Sequence, residues 1–230
     1  MLPSSPRELA GYIDHTLLRA DATARDVETL CAEALQACFA SVCVNGSRVG
    51  FARRCLGGSG IKVAAVVGFP LGAMTTRTKC LEAEGALSDG AAELDVVLAV
   101  GQLKDGARDH VRRDLAEVVR VAGTAKVKAI LECCLLTQDE KAMACRLAEE
   151  AGVAMVKTST GFGSGGATLE DVRLLRSTVS ARVGVKAAGG IRDTATALAL
   201  IEAGATRLGT SSGLALVRGF LAGGCETELG

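Results

Sequence analysis

Glu150-Ala151-Gly152-Val153-Ala154-Met155-Val156-Lys157-Thr158-Ser159-Thr160-Gly161-Phe162 carries a helix end, a strand and a turn in one short stretch. The acid-Ala-Gly junction suits the left-handed residue that stops a helix. The apolar run after it carries Val153, Met155 and Val156 into a core and ends on a lysine, followed by a glycine turn. A lysine in that place sits at the rim of a pocket, partly out of water. Such an amine loses its proton readily and can attack a carbonyl carbon.

The pattern repeats outward from this stretch. Glu202-Ala203-Gly204 precedes a strand near Ala205, and Ser88-Asp89-Gly90 precedes Ala91 to Leu98. Val183-Gly184-Val185-Lys186 is a second apolar strand that ends on lysine and runs into Gly189-Gly190. Read this way, strands fall at residues 12–16, 41–45, 62–67, 93–98, 127–132, 153–158, 182–187 and 206–209. Helices fall at 23–37, 46–56, 75–87, 103–121, 138–150, 169–179 and 193–203, with a short last helix from Ser211 or Ser212. This alternation predicts an α/β chain folded as a (β/α)8 TIM barrel, a single domain over residues 1–230. An open doubly wound sheet is the structural rival. The barrel explains more, because it gathers strand ends on one face, and Asp14, Thr16, Cys43, Asn45, Asp95, Glu132, Lys157 and Lys186 lie at or near such ends.

Composition narrows the function. The 230 residues carry 26 basic and 26 acidic side chains without a basic stripe, so nucleic acid is not an expected partner. No apolar run approaches the length of a bilayer span and the start lacks a signal-peptide core, which predicts a soluble, cytoplasmic protein. The nine cysteines are odd in number, scattered and never spaced C-x-x-C, and only two histidines accompany them, so no metal is expected. The chain end over 220–230 is rich in small residues and polar ones, predicting a tail without fixed structure. Self-association through outer helices is compatible with a barrel, and the sequence leaves it open.

Asp95, in Glu93-Leu94-Asp95-Val96-Val97-Leu98, adds a carboxylate to the two lysines. It reads either as half of a packing ion pair or as a proton relay beside a lysine nucleophile and a second cation that lowers the nucleophile's pKa. Gly161-Phe162-Gly163-Ser164-Gly165-Gly166 matches G-x-G-x-x-G, but the next strand ends Lys186-Ala187-Ala188 without the acidic ribose ligand of a dinucleotide site. Gly161, Gly189-Gly190 and Gly209-Thr210-Ser211-Ser212 instead follow the last three strands, where barrels bind phosphate through backbone N–H groups. Cys43 reads either as core or as a thiol near a reactive aldehyde, and His15 is expected to point away from Asp14 and Thr16. A sugar-phosphate sensor, with both lysines as anion contacts only, is the non-enzymatic alternative.

In this order along the chain, Ile13 to Leu17, Ser41 to Asn45, Val67 to Gly72, Glu93 to Val97, Lys128 to Glu132, Val156 to Phe162, Gly184 to Arg192 and Leu208 to Gly213 resemble the signatures of the deoxyribose-phosphate aldolases. The resemblance implies a TIM barrel and a class I aldolase needing no cofactor, which reversibly cleaves a small-molecule sugar phosphate through a lysine Schiff base. Carried over by position, Lys157 would form the Schiff base, Lys186 would lower its pKa, and Asp95 would relay protons. Gly161, Gly189, Gly190, Ser211 and Ser212 would hold the phosphate, and Asp14, Thr16 and Thr158 would line the sugar pocket. Gly46-Ser47 stands where many relatives have proline and an aromatic residue, and the end of the chain lacks the terminal tyrosine that some members use.

Overall fold

The computed structural model describes residues 2–225. Eight parallel strands close into a barrel in chain order: β1 (Ile13–Leu17), β2 (Ser41–Val44), β3 (Lys62–Val67), β4 (Glu93–Val97), β5 (Lys126–Ile130), β6 (Met155–Lys157), β7 (Gly184–Ala188) and β8 (Arg207–Thr210). Outside them run α1 (Pro6–Ala10), α2 (Ala24–Ala37), α3 (Val49–Leu56), α4 (Thr76–Ser88), α5 (Val100–Lys104), α6 (Arg108–Ala122), α7 (Gln138–Glu150), α8 (Leu169–Thr178), α9 (Thr194–Glu202) and α10 (Gly213–Cys225). All eight predicted strands are present. The glycine junctions work as read: Gly90, Gly152 and Gly204 have φ of 101°, 87° and 115°.

Helix starts follow from capping chemistry. Thr23 and Thr137 form capping boxes with Asp26 and Glu140, while Thr75, Thr168 and Asp193 each accept an N–H of the first turn. Three boundaries differ from expectation. The polar lead contains α1, because Ser5 caps it, Pro6 suits its first position, and Leu9 and Ala10 are buried. The helix expected over 103–121 breaks at Gly106, φ 73°, into α5 and α6. The tail expected to lack structure from residue 220 is instead helical to Cys225, since Leu216 is buried and Val217 and Phe220 pack on the core; residues 226–230 lie outside the described residues.

Strand alternation sorts side chains into two layers. Outward residues such as Leu94, Val96, Val185 and Ala187 join the main core between strands and helices. Inward, the lumen divides in two. Leu18, Cys43, Ala64 and Val66, with Phe69 against them, form an apolar wall on the β2–β3 side. Charged groups from β1 and β4–β8 fill the other side.

A separate buried ion pair locks the end of β4. Lys79 Nζ of α4 lies 2.5 Å from Asp114 Oδ2 of α6 and donates to the carbonyl of Val97 at 2.9 Å, while the Thr76 hydroxyl donates to Asp114 Oδ1 at 2.7 Å. Replacing Asp114 by Ala would strand an ammonium that is 0% exposed. We expect that variant to lose about 3–5 kcal/mol of unfolding free energy in urea, and Lys79→Met with Asp114→Leu to recover most of it. A single variant as stable as the parent would contradict this account.

Candidate active site

β6 and β7 run in register with Lys157 level with Lys186 and Ile130 of β5 level with Lys157. Both lysines point inward and converge on one carboxylate oxygen. Lys157 Nζ donates to Asp95 Oδ2 at 2.8 Å and Lys186 Nζ donates to the same atom at 2.7 Å. Lys186 also reaches Asp14 Oδ2 at 2.5 Å. All three of Asp95, Lys157 and Lys186 are buried. Gly209 of β8 makes the approach feasible, because a Cβ there would lie 3.0 Å from Lys186 Cε.

Beneath this trio lies a second tier. Lys128 Nζ sits 2.6 Å from Glu93 Oε2, 2.9 Å from Asp95 Oδ1 and 3.0 Å from Asp14 Oδ2. The contact to Asp95 is an ion pair without a well-directed hydrogen bond. Arg207 closes the set at 2.6 Å from Asp14 Oδ1 and 3.4 Å from Glu93 Oε2, and Ser41 donates to Asp14 Oδ1 at 2.6 Å. Inside the barrel the carboxylates are Asp14, Glu93 and Asp95, and the cations facing them other than Lys157 are Lys128, Lys186 and Arg207; Lys62, whose side chain is exposed at the barrel's edge, reaches Glu93 Oε1 only at 3.9 Å. The lumen is therefore balanced when Lys157 is neutral. Protonating Lys157 adds one uncompensated charge inside the barrel.

The individual groups follow this balance. For Lys157, burial lowers the pKa first; Asp95 opposes it and repulsion from Lys186 adds to it, leaving the amine below its ordinary value. Burial acts on Lys186 in the same sense, but Asp14 and Asp95 outweigh it and hold Lys186 above the ordinary value. Burial would raise Asp95, yet Lys128, Lys157 and Lys186 overcome it and hold the carboxyl well below the usual range. The site thus distinguishes one amine poised to be a nucleophile from a second kept as a fixed cation.

Above Lys157 opens a cavity of about 340 Å3. Its walls come from the ends of β1, β6, β7 and β8, including Thr16, Thr160, Gly161, Gly189, Gly190, Ser211 and Ser212. Gly161, Gly189 and Gly190 have φ of 85°, 89° and 79°. Gly166 is required for another reason, since a Cβ there would meet the carbonyl oxygen of Gly189 at 2.3 Å. Ser211 and Ser212 directly precede α10, whose N-terminus favours an anion. Arg19 and Arg192 also line the mouth.

The profile of the DeoC/LacD family aldolases matches residues 9–221. The chain belongs to the DeoC/LacD family of aldolases. It is 57% identical over 216 residues to the deoxyribose-phosphate aldolase of Thermococcus gammatolerans, covering 92% of this chain and 96% of the relative. It is also 57% identical over 212 residues to that of a Geobacillus species, covering 92% and 95%. Among solved structures, a putative deoxyribose-phosphate aldolase from Coccidioides immitis superposes with a TM-score of 0.92 at 38% identity, covering 100% of this chain and 88% of the other. The deoxyribose phosphate aldolase of Aeropyrum pernix, described as having a unique tetrameric structure, gives 0.87 at 34%, covering 96% and 94%.

Most residues expected in this aldolase's site are brought together, and two are placed elsewhere. Asp14 lies below the cavity in the charged tier, where it holds Lys186 and Lys128. Thr158 follows an inward lysine and so turns outward; its hydroxyl donates to the Ala188 carbonyl at 3.2 Å and accepts the Ala188 N–H at 3.1 Å, tying β6 to β7. His15 points outward as expected, with Nε2 2.6 Å from Glu33 and its ring against Phe39. Cys43 is buried in the apolar lumen wall, where burial pushes its thiol pKa up, so it is a protonated packing group rather than a ready nucleophile. Sequence reasoning missed Lys128, Glu93 and Arg207 as members of the site. A partial signal was present: Lys128 lies in β5 between the outward-facing Val127 and Ala129, while Glu93 and Arg207 open β4 and β8 just before the outward-facing Leu94 and Leu208. Among the described residues, no cluster of histidine, cysteine, aspartate or glutamate is arranged to hold a metal ion, and no helix is long and apolar enough to cross a membrane.

Proposed function

We propose that this chain is a class I aldolase that reversibly cleaves 2-deoxy-D-ribose 5-phosphate to D-glyceraldehyde 3-phosphate and acetaldehyde through a Schiff base on Lys157. One observation carries the reading: Lys157 and Lys186 share Asp95 Oδ2 at the floor of a cavity whose rim is built from glycine turns and the start of α10. Neutral Lys157 attacks C1 of the open-chain sugar, and loss of water gives the protonated imine. Removal of the C3 hydroxyl proton breaks the C2–C3 bond, its electron pair forms the enamine, and glyceraldehyde 3-phosphate leaves. The enamine takes a proton at C2, and water releases acetaldehyde and regenerates the amine. Asp95, held ionised by Lys128 and Lys186, passes these protons with Lys186 through water. The reading places the enzyme in the cytosol, in keeping with the eight free cysteines among the described residues, and allows self-association, as in the tetrameric relative.

A coupled assay of acetaldehyde release from 2-deoxyribose 5-phosphate tests the activity directly; binding without turnover would leave the sensor reading. The phosphate rim has its own test. Ser212→Asp places a negative charge where the anion sits, so KM for the phosphorylated sugar should rise by about 100-fold, from the several kcal/mol of a like-charge encounter. KM for unphosphorylated deoxyribose should move far less. Equal effects on both sugars would remove the phosphate from that rim.

A further inference from the structure

Glu132 follows β5 and has a left-handed backbone, φ 55° and ψ 65°. Among the described residues only Cys38 shares a positive φ without being glycine, and Cys38 caps a helix, where that conformation is ordinary. Glu132 has no such excuse, and the residue is only 5% exposed. Its hydrogen-bond partners are all neutral: the Thr160 N–H donates to Oε1 at 3.3 Å, the Thr160 hydroxyl donates to Oε2 in a short bond, and the Cys134 thiol approaches Oε1 at 3.8 Å. A buried carboxylate on a strained backbone persists where its surroundings hold it for a task.

The bonds continue past Thr160. A hydroxyl has one proton; committing it to Glu132 leaves its lone pairs for the Phe162 N–H, which donates to Thr160 Oγ1 at 3.0 Å. These bonds close the turn around Gly161, and Thr160, Gly161 and Phe162 all line the cavity over Lys157. Gly163 packs against the carboxylate, since a Cβ there would lie 3.2 Å from Glu132 Cδ. Phe162 meets Phe69 edge-on at 5.2 Å, so the turn is braced from one side by an aromatic ring and from the other by Glu132.

We propose that Glu132 is a positioning residue that acts through the Thr160 hydroxyl to hold the Gly161 turn in the shape that receives the substrate phosphate. The proposal rests on the phosphate reading of the rim given above. Glu132 does not reach Lys157; its effect falls on binding of the phosphorylated end.

The experiment compares KM and kcat for 2-deoxyribose 5-phosphate and for deoxyribose in Glu132→Ala, Glu132→Gln, Thr160→Val and the Glu132→Ala/Thr160→Val double variant, with melting temperatures alongside. Losing a charge-assisted hydrogen bond should raise KM for the phosphorylated sugar about 10- to 100-fold relative to deoxyribose in Glu132→Ala, with kcat moving less. Glu132→Gln keeps an oxygen for the hydroxyl but turns an amide toward the Thr160 N–H, so it should fall between parent and Ala. The double variant should match the larger single effect, because both substitutions cut one chain of bonds. Effects that multiply in the double variant, or equal losses on both sugars, would overturn the proposal. An unmoved KM ratio in Glu132→Ala with a shifted ratio in Ser212→Asp overturns it alone; an unmoved ratio in both variants overturns the phosphate rim with it.

Discussion

Lys157→Met should abolish cleavage, lowering kcat by on the order of 10^4-fold or more, since no other group supplies the covalent step. The fold should survive the change. The lumen is balanced without a charge on Lys157, three carboxylates facing Lys128, Lys186 and Arg207, and removing the Lys157 amine leaves every ion pair of the lower tier in place. Borohydride added with acetaldehyde should leave an ethyl group on the parent's Lys157 peptide and none in the variant. An adduct on Lys128 or Lys186 instead would reassign the nucleophile.

Lys186→Met should have the second-largest effect, and its signature lies in the pH profile. At a separation of roughly 5 Å and an effective dielectric near 20, two ammonium groups repel by about 3 kcal/mol, or about two pKa units. Removing Lys186 ends that repulsion and gives Asp95 wholly to Lys157 and Lys128. It also leaves the three carboxylates facing two fixed cations, which favours a charged Lys157. Each change raises the pKa of Lys157. The neutral fraction at a given pH therefore falls, and the acid limb of kcat/KM moves to higher pH. Burial, the larger cause of the depressed value, remains, so the shift should be partial. At neutral pH the rate should drop by about 10^2-fold or more, through the lost free amine and the damaged proton relay together. A rate loss with an unmoved acid limb would mean that Lys186 serves in proton transfer or binding alone and that burial tunes Lys157.

The way the site was legible explains what was missed. Lys157 and Lys186 stand out because each closes an apolar run just before glycines, a place where a charged residue carries a purpose. Lys128 and Arg207 give a weaker signal, since Lys126, two residues before Lys128, and Thr206, next to Arg207, make a polar strand start look like an exposed end. The structure shows them buried or nearly so and facing Asp14 and Glu93. Thr158 could have been placed by alternation alone, because the residue after an inward lysine faces outward.

The order and number of the strands were determined by the sequence itself, because alternation, caps and the left-handed glycines at 90, 152 and 204 are local properties of neighbouring residues. So were the two lysines and the glycine turns of the rim. Which carboxylate meets which cation was decided only by closure of the barrel: Asp14 and Arg207 come from opposite ends of the chain and meet because β1 pairs with β8. The lowered pKa of Lys157 likewise belongs to the closed lumen. A pKa depends on burial and on charges a few ångströms away, and those are set by register across the strands rather than by neighbours along the chain.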